Sequence, residues 1–362
     1  MSRWNLPYEL FIGLRYLKAK RKQTFISIIT FISMAGVMVG VMALVIVLSV
    51  MAGFQEDLRS KILGTTSHVI IMKFGEGIED ADSVVKKVKT IPHVLAASPF
   101  IYNQVMMTSD SGVSGAVVRG IDPETATTVT DIAKSIREGS LSSILEKKKD
   151  KAGFEVSGVV IGKELAKNLG VFIGDYVNIV SPLGTITPMG MVPKVKRFQV
   201  GGVFDSGMYE YDSSLIYISI REAQSFFSMG EMVTGVEVKI DDIYKAREIG
   251  KEIQSSLGYP YWTRDWMEMN KNLFAALKLE KIAMFVILTL IVLVAAFNII
   301  STLIMVVMEK HKDIAILKAM GATSRSVMKI FVIEGMVIGT VGTVIGLLGG
   351  YLSCFLLAKY KF

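Results

Sequence analysis

Three long stretches that are almost free of charge determine what kind of protein this sequence can form. No Asp, Glu, Lys or Arg occurs in residues 23–55 or 282–308. The third stretch, residues 330–357, contains a single charged residue, Glu334. Each stretch exceeds the roughly 20 apolar residues that an α-helix needs to cross a bilayer. The sequence therefore predicts a membrane protein with three α-helical transmembrane segments.

The first stretch has a competing interpretation as a cleaved signal peptide, because it follows a basic head and contains the small-residue sequence VMAG. Its apolar run is about twice as long as the core of a signal peptide. Because two further spans already anchor the chain, we expect the first stretch to remain as a transmembrane helix.

Flanking charges predict how the spans are oriented. Residues 1–22 contain six basic residues and one acidic residue, and residues 309–329 contain five basic and two acidic residues. By the positive-inside rule both segments are expected to be cytoplasmic, which leaves the large region between the first two spans on the opposite side. The net charge of +7 is thus a topology signal and no indication of nucleic-acid binding.

The region between the first two spans is large enough for one or two folded domains. Segments such as SHVIIMKF and SSLIYISI are rich in β-branched residues and predict strands, whereas GKELAKNLG and REAQSFFSM have helical spacing. We expect a large α+β domain with two subdomains. Residues 134–152 are rich in charge and are expected to form a solvated helix or a flexible connection.

The sequence gives little support for catalysis. No GxxxxGK[ST] phosphate-binding loop is present, and no HExxH motif or cysteine pair accompanies His68, His93 and His311. The single cysteine, Cys354, lies in an apolar span, where a packed thiol is the expected state. We therefore expect no catalytic residue, no metal site and no cofactor bound by this chain.

Small residues recur on one face of the third span and again in the first. Their spacing of three or four residues places them on one helical side, which another helix can approach closely. We expect them to pack helices, and a glycine-hinged moving helix is the alternative. These packing glycines are Gly36, Gly40, Gly335, Gly339, Gly342 and Gly346. In the second span, Asn298, Ser301 and Thr302 are expected to find polar partners across helices, and a substrate path is the alternative.

The short segment between the second and third spans predicts a cytoplasmic helix. Asp313 can cap it, apolar residues follow three apart, and Gly321 can end it. Since the chain has no ATP site, this helix is a candidate docking element for a separate motor, and a simple connection is the alternative. Before the second span, WTRDWMEMNKNLFAALKLEK predicts an amphipathic helix that continues into the membrane, with Trp262 and Trp266 at or above the interface.

Several blocks together closely resemble the lipoprotein-releasing ABC permeases of the LolC/LolE type, from Leu10 to about Leu357. They include LFIGLRYLKAKR, VVIGKELAKNLGVFIGDYVNIVSP and EKHKDIAILKAMGAT. The resemblance implies a type VII ABC transporter of the MacB/FtsX kind, with two permease chains and a pair of LolD ATPases that bind ATP and Mg. Such a transporter extracts triacylated lipoproteins from the outer leaflet of the bacterial inner membrane and passes them to the periplasmic chaperone LolA.

The resemblance also assigns roles to residues of this chain. It implies a coupling helix that enters a groove of the ATPase, with Asp313, Ile314, Leu317, Met320 and Gly321. It implies a hook hairpin for LolA within residues 181–194, with Pro182, Thr187, Pro188, Met189, Gly190, Met191 and Pro193. We expect the lipoprotein cavity at the first span, whose small-residue face leaves Phe31, Met38, Met42 and Val45 free to meet lipid.

The expected organisation alternates membrane helices with hydrophilic segments. It comprises a cytoplasmic amphipathic N-terminus (1–22), the first span (23–51), a periplasmic MacB-like domain (52–278), the second span (279–308), the coupling helix and loop (309–326), the third span (327–358) and a periplasmic end (359–362). Permeases of this family have four spans, so the fourth helix is missing here, and whether the chain functions alone stays open.

Two other functions fit the same architecture. A MacB-like efflux or secretion permease would not capture LolA. An FtsX-like mechanotransmission regulator of cell-wall hydrolases usually has a much smaller ectodomain. Within the LolC/LolE type, a LolC-like subunit, a LolE-like subunit and a homodimeric permease with both sets of features all stay open.

Overall fold

The computed structural model describes residues 8–17, 24–75, 77–149, 153, 155–187 and 190–360. The chain divides into two compact units. The membrane unit comprises Met1–Glu56 and Ala275–Phe362, and the ectodomain comprises Asp57–Phe274.

Three helices are long and apolar enough to cross a membrane, as the sequence predicts. They are α2 (Thr24–Thr65), α11 (Lys271–Glu309) and α13 (Ser324–Tyr360). Two shorter helices, α1 (Tyr8–Leu17) and α12 (His311–Ala319), belong to the membrane unit as well. Because residues on most sides of the long helices are apolar and exposed, they suit a hydrocarbon environment.

The ectodomain contains an eleven-stranded mixed sheet. Its strands are β1 (Val69–Lys73), β2 (Val94–Thr108), β3 (Val113–Ile121), β4 (Ile136–Gly139), β5 (Lys147–Lys149), β6 (Glu155–Gly162), β7 (Tyr176–Thr187), β8 (Gly190–Phe204), β9 (Leu215–Ser219), β10 (Gly235–Ile240) and β11 (Tyr261–Asp265). Nine strands follow the order β11-β1-β10-β2-β3-β9-β6-β8-β4, while β5 pairs with β6 and β7 pairs with β2 and β8. The β3–β9 and β6–β8 pairs are parallel and the others antiparallel.

Short helices connect the strands. They are α3 (Ala81–Val88), α4 (Pro123–Val129), α5 (Ile132–Ser135), α6 (Lys163–Leu169), α7 (Tyr209–Asp212), α8 (Ile220–Phe227), α9 (Ala246–Leu257) and α10 (Trp266–Met269). Local signals fix several of their ends. The Asp80 and Ser219 side chains accept hydrogen bonds from backbone N–H groups in the first turns of α3 and α8, and Gly170 ends α6 in the left-handed conformation.

The strands of the ectodomain share one sheet, and the expected division into two subdomains stays a prediction. All five residues of β9 are buried, as are seven of the eight residues of β6. Strands buried on both faces read as continuous apolar runs without alternation. One large hydrophobic cluster extends from Ile62 to Trp266 across the sheet, and a smaller one surrounds Phe204 and Tyr217.

Within the segment 134–152, the described residues 134–149 form more regular structure than the sequence predicts. The segment forms β4, a 3-10 helix (Leu141–Leu145) and β5, and the side chains of Leu141 and Ile144 are buried. A Cβ added to Gly158 would lie 2.1 Å from the carbonyl oxygen of Ser143, so glycine lets the 3-10 helix rest on β6. The charges misled the prediction because β5 has only exposed lysines, a composition suited to a solvated strand.

The predicted amphipathic helix before the second span is wrong for residues 262–265, and it is interrupted at Asn270. Residues 261–265 form the strand β11. Asn270 belongs to neither helix and separates the end of α10 from the start of α11. Trp266 is 1% exposed and packs edge to face against Phe274, with 5.2 Å between ring centroids. Its indole N–H donates to the Ile243 carbonyl at 3.0 Å. Trp266 is therefore a core residue of the ectodomain and no interfacial anchor.

Candidate functional site

The third span packs closely against the first through its glycines. A Cβ added to Gly342 would lie 3.0 Å from the Cβ of Val37. One added to Gly346 would lie 2.9 Å from the Cβ of Val41, and one added to Gly350 would lie 2.8 Å from the Cβ of Val45. These glycines therefore accept a row of valines from α2, which is how small residues bring membrane helices together.

The glycines of the first span do not meet those of the third. A Cβ on Gly36 would lie 2.9 Å from the Asn298 side-chain nitrogen, and one on Gly40 would lie 3.4 Å from Ile291, so both glycines face α11. Gly335 also faces α11, through Leu303, whereas a Cβ on Gly339 would have no heavy atom within 4 Å. The glycines of α2 thus mediate its contact with α11, whereas Gly342, Gly346 and Gly350 of α13 mediate the contact between α13 and α2.

Polar groups of the second span find a partner in the first, as the sequence predicts. The hydroxyls of Ser33 and Thr302 form a hydrogen bond, and Thr302 also donates to the Asn298 carbonyl at 2.9 Å. Ser301, in contrast, is exposed. The pairing satisfies two hydroxyls that would be costly to leave alone in hydrocarbon.

The four residues expected to line a lipoprotein cavity do not share one environment. Phe31 is 70% exposed. In contrast, a Cβ on Gly349 would lie 3.3 Å from the Met42 sulfur, and Val45 packs at Gly350. Met38 is half-buried, with its carbonyl oxygen 2.7 Å from a Cβ placed on Gly346. The expectation that all four are free of other helices is therefore wrong for Met42 and Val45, which lie against α13.

The predicted coupling helix is present as α12, but its first turn differs from the prediction. Lys310 alone separates α11 from α12 and occupies the N-cap position, so Asp313 lies inside the first turn and does not cap the helix. Asp313 pairs there with Lys310 at 3.4 Å. A carboxylate in this position still stabilises the helix, because it lies close to the positive end of the helix dipole.

The end of α12 follows the prediction. Gly321 has a φ of +97°, and its N–H donates to the Lys318 carbonyl, while that of Ala322 donates to the Leu317 carbonyl, both at 3.0 Å. This arrangement is typical of a helix that ends at glycine. Thr323 then caps α13, because its hydroxyl accepts a hydrogen bond from the Ser326 N–H at 3.2 Å.

The side chains of α12 point in two directions. Ile314 is half-buried and packs against a cluster of Val306, Val327 and Phe331. Met320 and Ile316 are 72% and 59% exposed. Ile316 is missing from the predicted set, which assumed one apolar face with a three-residue spacing. The four-residue spacing between Ile316 and Met320 could have indicated Ile316, because it places both residues on the same side of the helix.

The predicted hook corresponds to the hairpin of β7 and β8. Regular pairing reaches Ser181 and Lys194, is interrupted, and resumes from Thr185 and Val192 to Thr187 and Gly190. Pro182 and Pro193 are exposed, and Val192 is 52% exposed. Pro188 and Met189 lie outside the described residues, as do the side chains of Thr187 and Met191.

A buried ion pair in the ectodomain was not predicted from the sequence. Arg119 of β3 and Glu237 of β10 are 6% and 3% exposed and form a salt bridge. Arg119 also donates to the carbonyl of Thr65, the last residue of α2, at 3.3 Å. The rings of Phe100 and Tyr217 each lie 5.9 Å from its guanidinium carbon. The pair thus joins the end of α2 to the centre of the sheet.

Across the described ranges, no group of three or more His, Cys, Asp or Glu side chains is arranged to hold a metal ion. The geometry instead offers helix contacts in the membrane unit, an exposed edge on α12 and a projecting hairpin on the ectodomain.

Comparison with known proteins identifies both units. Residues 30–256 match the model of the MacB-like periplasmic core domain, and residues 285–361 match that of the FtsX-like permease C-terminal region. Together with three apolar helices, these matches define a membrane permease of the MacB/FtsX type with a periplasmic domain.

Relatives of known name narrow this class. The chain is 36% identical to the lipoprotein-releasing system transmembrane protein LolC of Xylella fastidiosa strain Temecula1, over 95% of this chain and 81% of the relative. It is 36% identical to LolC of Neisseria meningitidis serogroup B, over 95% and 81%. It is 27% identical to LolE of Haemophilus influenzae strain Rd, over 98% and 84%. The chain belongs to the LolC/LolE family of permeases.

Proposed function

We propose that this chain is a permease subunit of an ATP-driven ABC transporter that extracts lipoproteins from the outer leaflet of the bacterial inner membrane and passes them to LolA. The observation that carries the proposal is 36% identity to LolC proteins over 95% of the chain. The MacB-like and FtsX-like alternatives each rest on a match to one part of the chain, residues 30–256 and residues 285–361, so each explains less of the sequence.

Energy for transport would come from a separate LolD-type ATPase dimer that binds ATP and Mg. Support comes from α12, a short helix held by Ile314 on one side while Met320 and Ile316 are exposed on the other. A helix that is held in place on one side and exposes apolar side chains on the other is suited to bind in a groove of a partner protein. The basic segments around it support a cytoplasmic location for α12 and for the N-terminus.

Lipoprotein transfer to LolA would use the hook hairpin. The hairpin has exposed proline at both of its sides, and proline limits the conformations that binding has to restrict. Exposed Val192 supplies an apolar contact near the end of the hairpin. A projecting strand pair with such a surface is suited to a protein partner.

A second LolC/LolE-type chain, identical or different, would complete the membrane part. Support comes from the many exposed apolar side chains of α2, among them Phe31 and Val39, at 70% and 51%. These side chains are available to acyl chains of a triacylated lipoprotein or to helices of a second permease. Met42 and Val45 already contact α13, so they would line a cavity only where that cavity borders the α2–α13 contact.

The test is lipoprotein release from proteoliposomes that contain this chain, its partner permease and the ATPase. We expect ATP-dependent transfer of a triacylated lipoprotein to LolA in the external buffer. The control contains a LolA-free buffer, in which the lipoprotein should stay with the membrane. A complete complex that hydrolyses ATP and transfers no lipoprotein to LolA would contradict the proposal and favour a MacB-like permease.

A further inference from the structure

A small groove lies between α1 and α12 in the membrane unit. Its volume is about 290 Å³, and three residues of each helix line it. They are Phe11, Ile12 and Arg15 of α1 and Asp313, Ile316 and Leu317 of α12. In both helices these residues are one, three or four positions apart, so each helix contributes one continuous face.

Contact with α13 places α1 in this position. A Cβ added to Gly13 would lie 3.3 Å from the Ile330 carbonyl oxygen and 3.3 Å from Ile333. Gly13 is buried and therefore marks the side of α1 that faces α13. Because α12 connects directly to the start of α13 through Gly321, both walls of the groove are attached to the same helix.

The groove has an apolar floor and exposed rims. Ile12 and Leu317 are half-buried, whereas Phe11 and Ile316 are 57% and 59% exposed on opposite helices. Two large apolar side chains that flank a depression are the arrangement in which one buried anchor residue of a partner gains most of the binding energy. The volume is slightly below the range of drug-sized ligand pockets, so a protein side chain fits better than a small molecule.

Charge distinguishes a protein partner from a lipid surface. Asp313 in the groove pairs with Lys310, whereas Arg15 has no ion-pair partner within the described part of the chain. A bilayer surface rich in anionic lipid would attract Arg15 and gain nothing from the ion-paired Asp313, whereas a protein surface can offer a carboxylate to the Arg15 side of the groove only.

We infer that α1 forms one wall of the docking site for the ATP-hydrolysing subunit, which inserts an apolar side chain between α1 and α12 and offers a carboxylate to Arg15. This inference rests on the proposed function, in which α12 contacts that subunit. It extends the contact to an N-terminal helix that lies about 300 residues earlier in the chain.

The experiment uses the full complex with Phe11→Ser, the matched variant Phe11→Leu, and Ile316→Ser. We expect Phe11→Ser and Ile316→Ser each to weaken retention of the ATPase about tenfold, the effect of losing one interface anchor, while Phe11→Leu retains it. Because Phe11 and Ile316 are exposed, membrane insertion and the melting temperature should stay unchanged. A photo-crosslinking residue in place of Phe11 should label the ATPase.

Each other outcome has a definite meaning. If Ile316→Ser weakens retention and Phe11→Ser does not, the inference is wrong and the proposed coupling role of α12 stands. If the crosslinker at position 11 labels only lipid, α1 is a membrane-surface helix and the inference is wrong. If neither serine variant affects ATPase retention, the docking role of α12 fails as well.

Discussion

At the scale of single residues, we expect His68 to make the ectodomain less stable in acid. It is 8% exposed and lies three residues after the end of α2, and its ring nitrogen Nδ1 lies 3.1 Å from the Ile240 carbonyl oxygen. Burial lowers the pKa of His68 below 6.5, and the positive charge of Lys239 lowers it further, although the hydrogen bond to Ile240 acts in the opposite direction.

The direction of the pH effect follows from this shift. Below pH 6.5 the unfolded chain takes up a proton at His68 more readily than the folded chain, so stability is present above that pH and is lost as pH falls through the folded pKa. We expect the melting temperature of the full chain in detergent to fall on acidification, and His68→Asn to reduce that dependence. An unchanged pH profile in the variant would show that His68 does not titrate on unfolding.

Two glycines of the third span make a matched pair for testing helix contact. A Cβ on Gly346 would lie 2.7 Å from the Met38 carbonyl oxygen, whereas one on Gly339 would meet nothing within 4 Å. We expect Gly346→Ala to destabilise the chain by about 1–3 kcal/mol, because α2 and α13 must separate. Gly339→Ala should be neutral or stabilising by up to about 1 kcal/mol, since alanine favours the helix.

Thermal unfolding of the two variants in the same detergent measures this difference. Equal melting temperatures would mean that α2 and α13 are not in contact at Gly346. A lower melting temperature for Gly339→Ala alone would point to a partner helix from another chain at that position.

At the scale of elements, the hook hairpin offers two valines on one strand. Val192 lies beyond the irregularity of the β7–β8 pairing, and Val195 lies before it, where it pairs with Val180. They are 52% and 60% exposed. We expect Val192→Asp to weaken capture of LolA by the full chain about tenfold, because a charge replaces an apolar contact, and Val195→Asp to leave it unchanged.

Capture is measured with immobilised LolA, and circular dichroism checks that both variants fold. Because both valines are exposed, neither substitution should lower the melting temperature much. Equal loss of capture in both variants would mean that LolA contacts the hairpin on both sides of the irregularity. No loss in either variant would mean that Val192 does not contact LolA.

Local signals predicted the elements that depend on local chemistry. Gly321 ends α12 and Thr323 starts α13 as the sequence indicates, since each effect involves hydrogen bonds within one turn. Asp313 does not cap α12, because the single-residue junction at Lys310 shifts the helix start. The division of α12 into an inward Ile314 and an outward Ile316 depends on α13, so spacing alone could not predict it.

At the scale of the whole molecule, the sequence predicts the three spans and an α+β ectodomain but misses central parts of its sheet. The strand β10, GVEVKI, has alternating charges that are typical of a half-exposed strand. Glu237 is nevertheless buried, because its partner Arg119 comes from a strand more than a hundred residues earlier. Pairings of that kind depend on the order of the strands in the sheet, which a short segment of the sequence cannot predict.

The hydrogen bonds at Thr65 have a consequence for the mobility of α2. The last carbonyls of a helix normally lack partners, and helix ends fray for that reason. Here Arg119 donates to the Thr65 carbonyl, and the Asp131 N–H donates to the Gly64 carbonyl at 3.0 Å. Loosening the final turn would leave Arg119 paired with Glu237 but would remove its hydrogen bond to Thr65, and a hydrogen bond to a charged group contributes about 1.5–3 kcal/mol. The amide hydrogens of residues 57–65 should therefore exchange with solvent as slowly as those of the central strands.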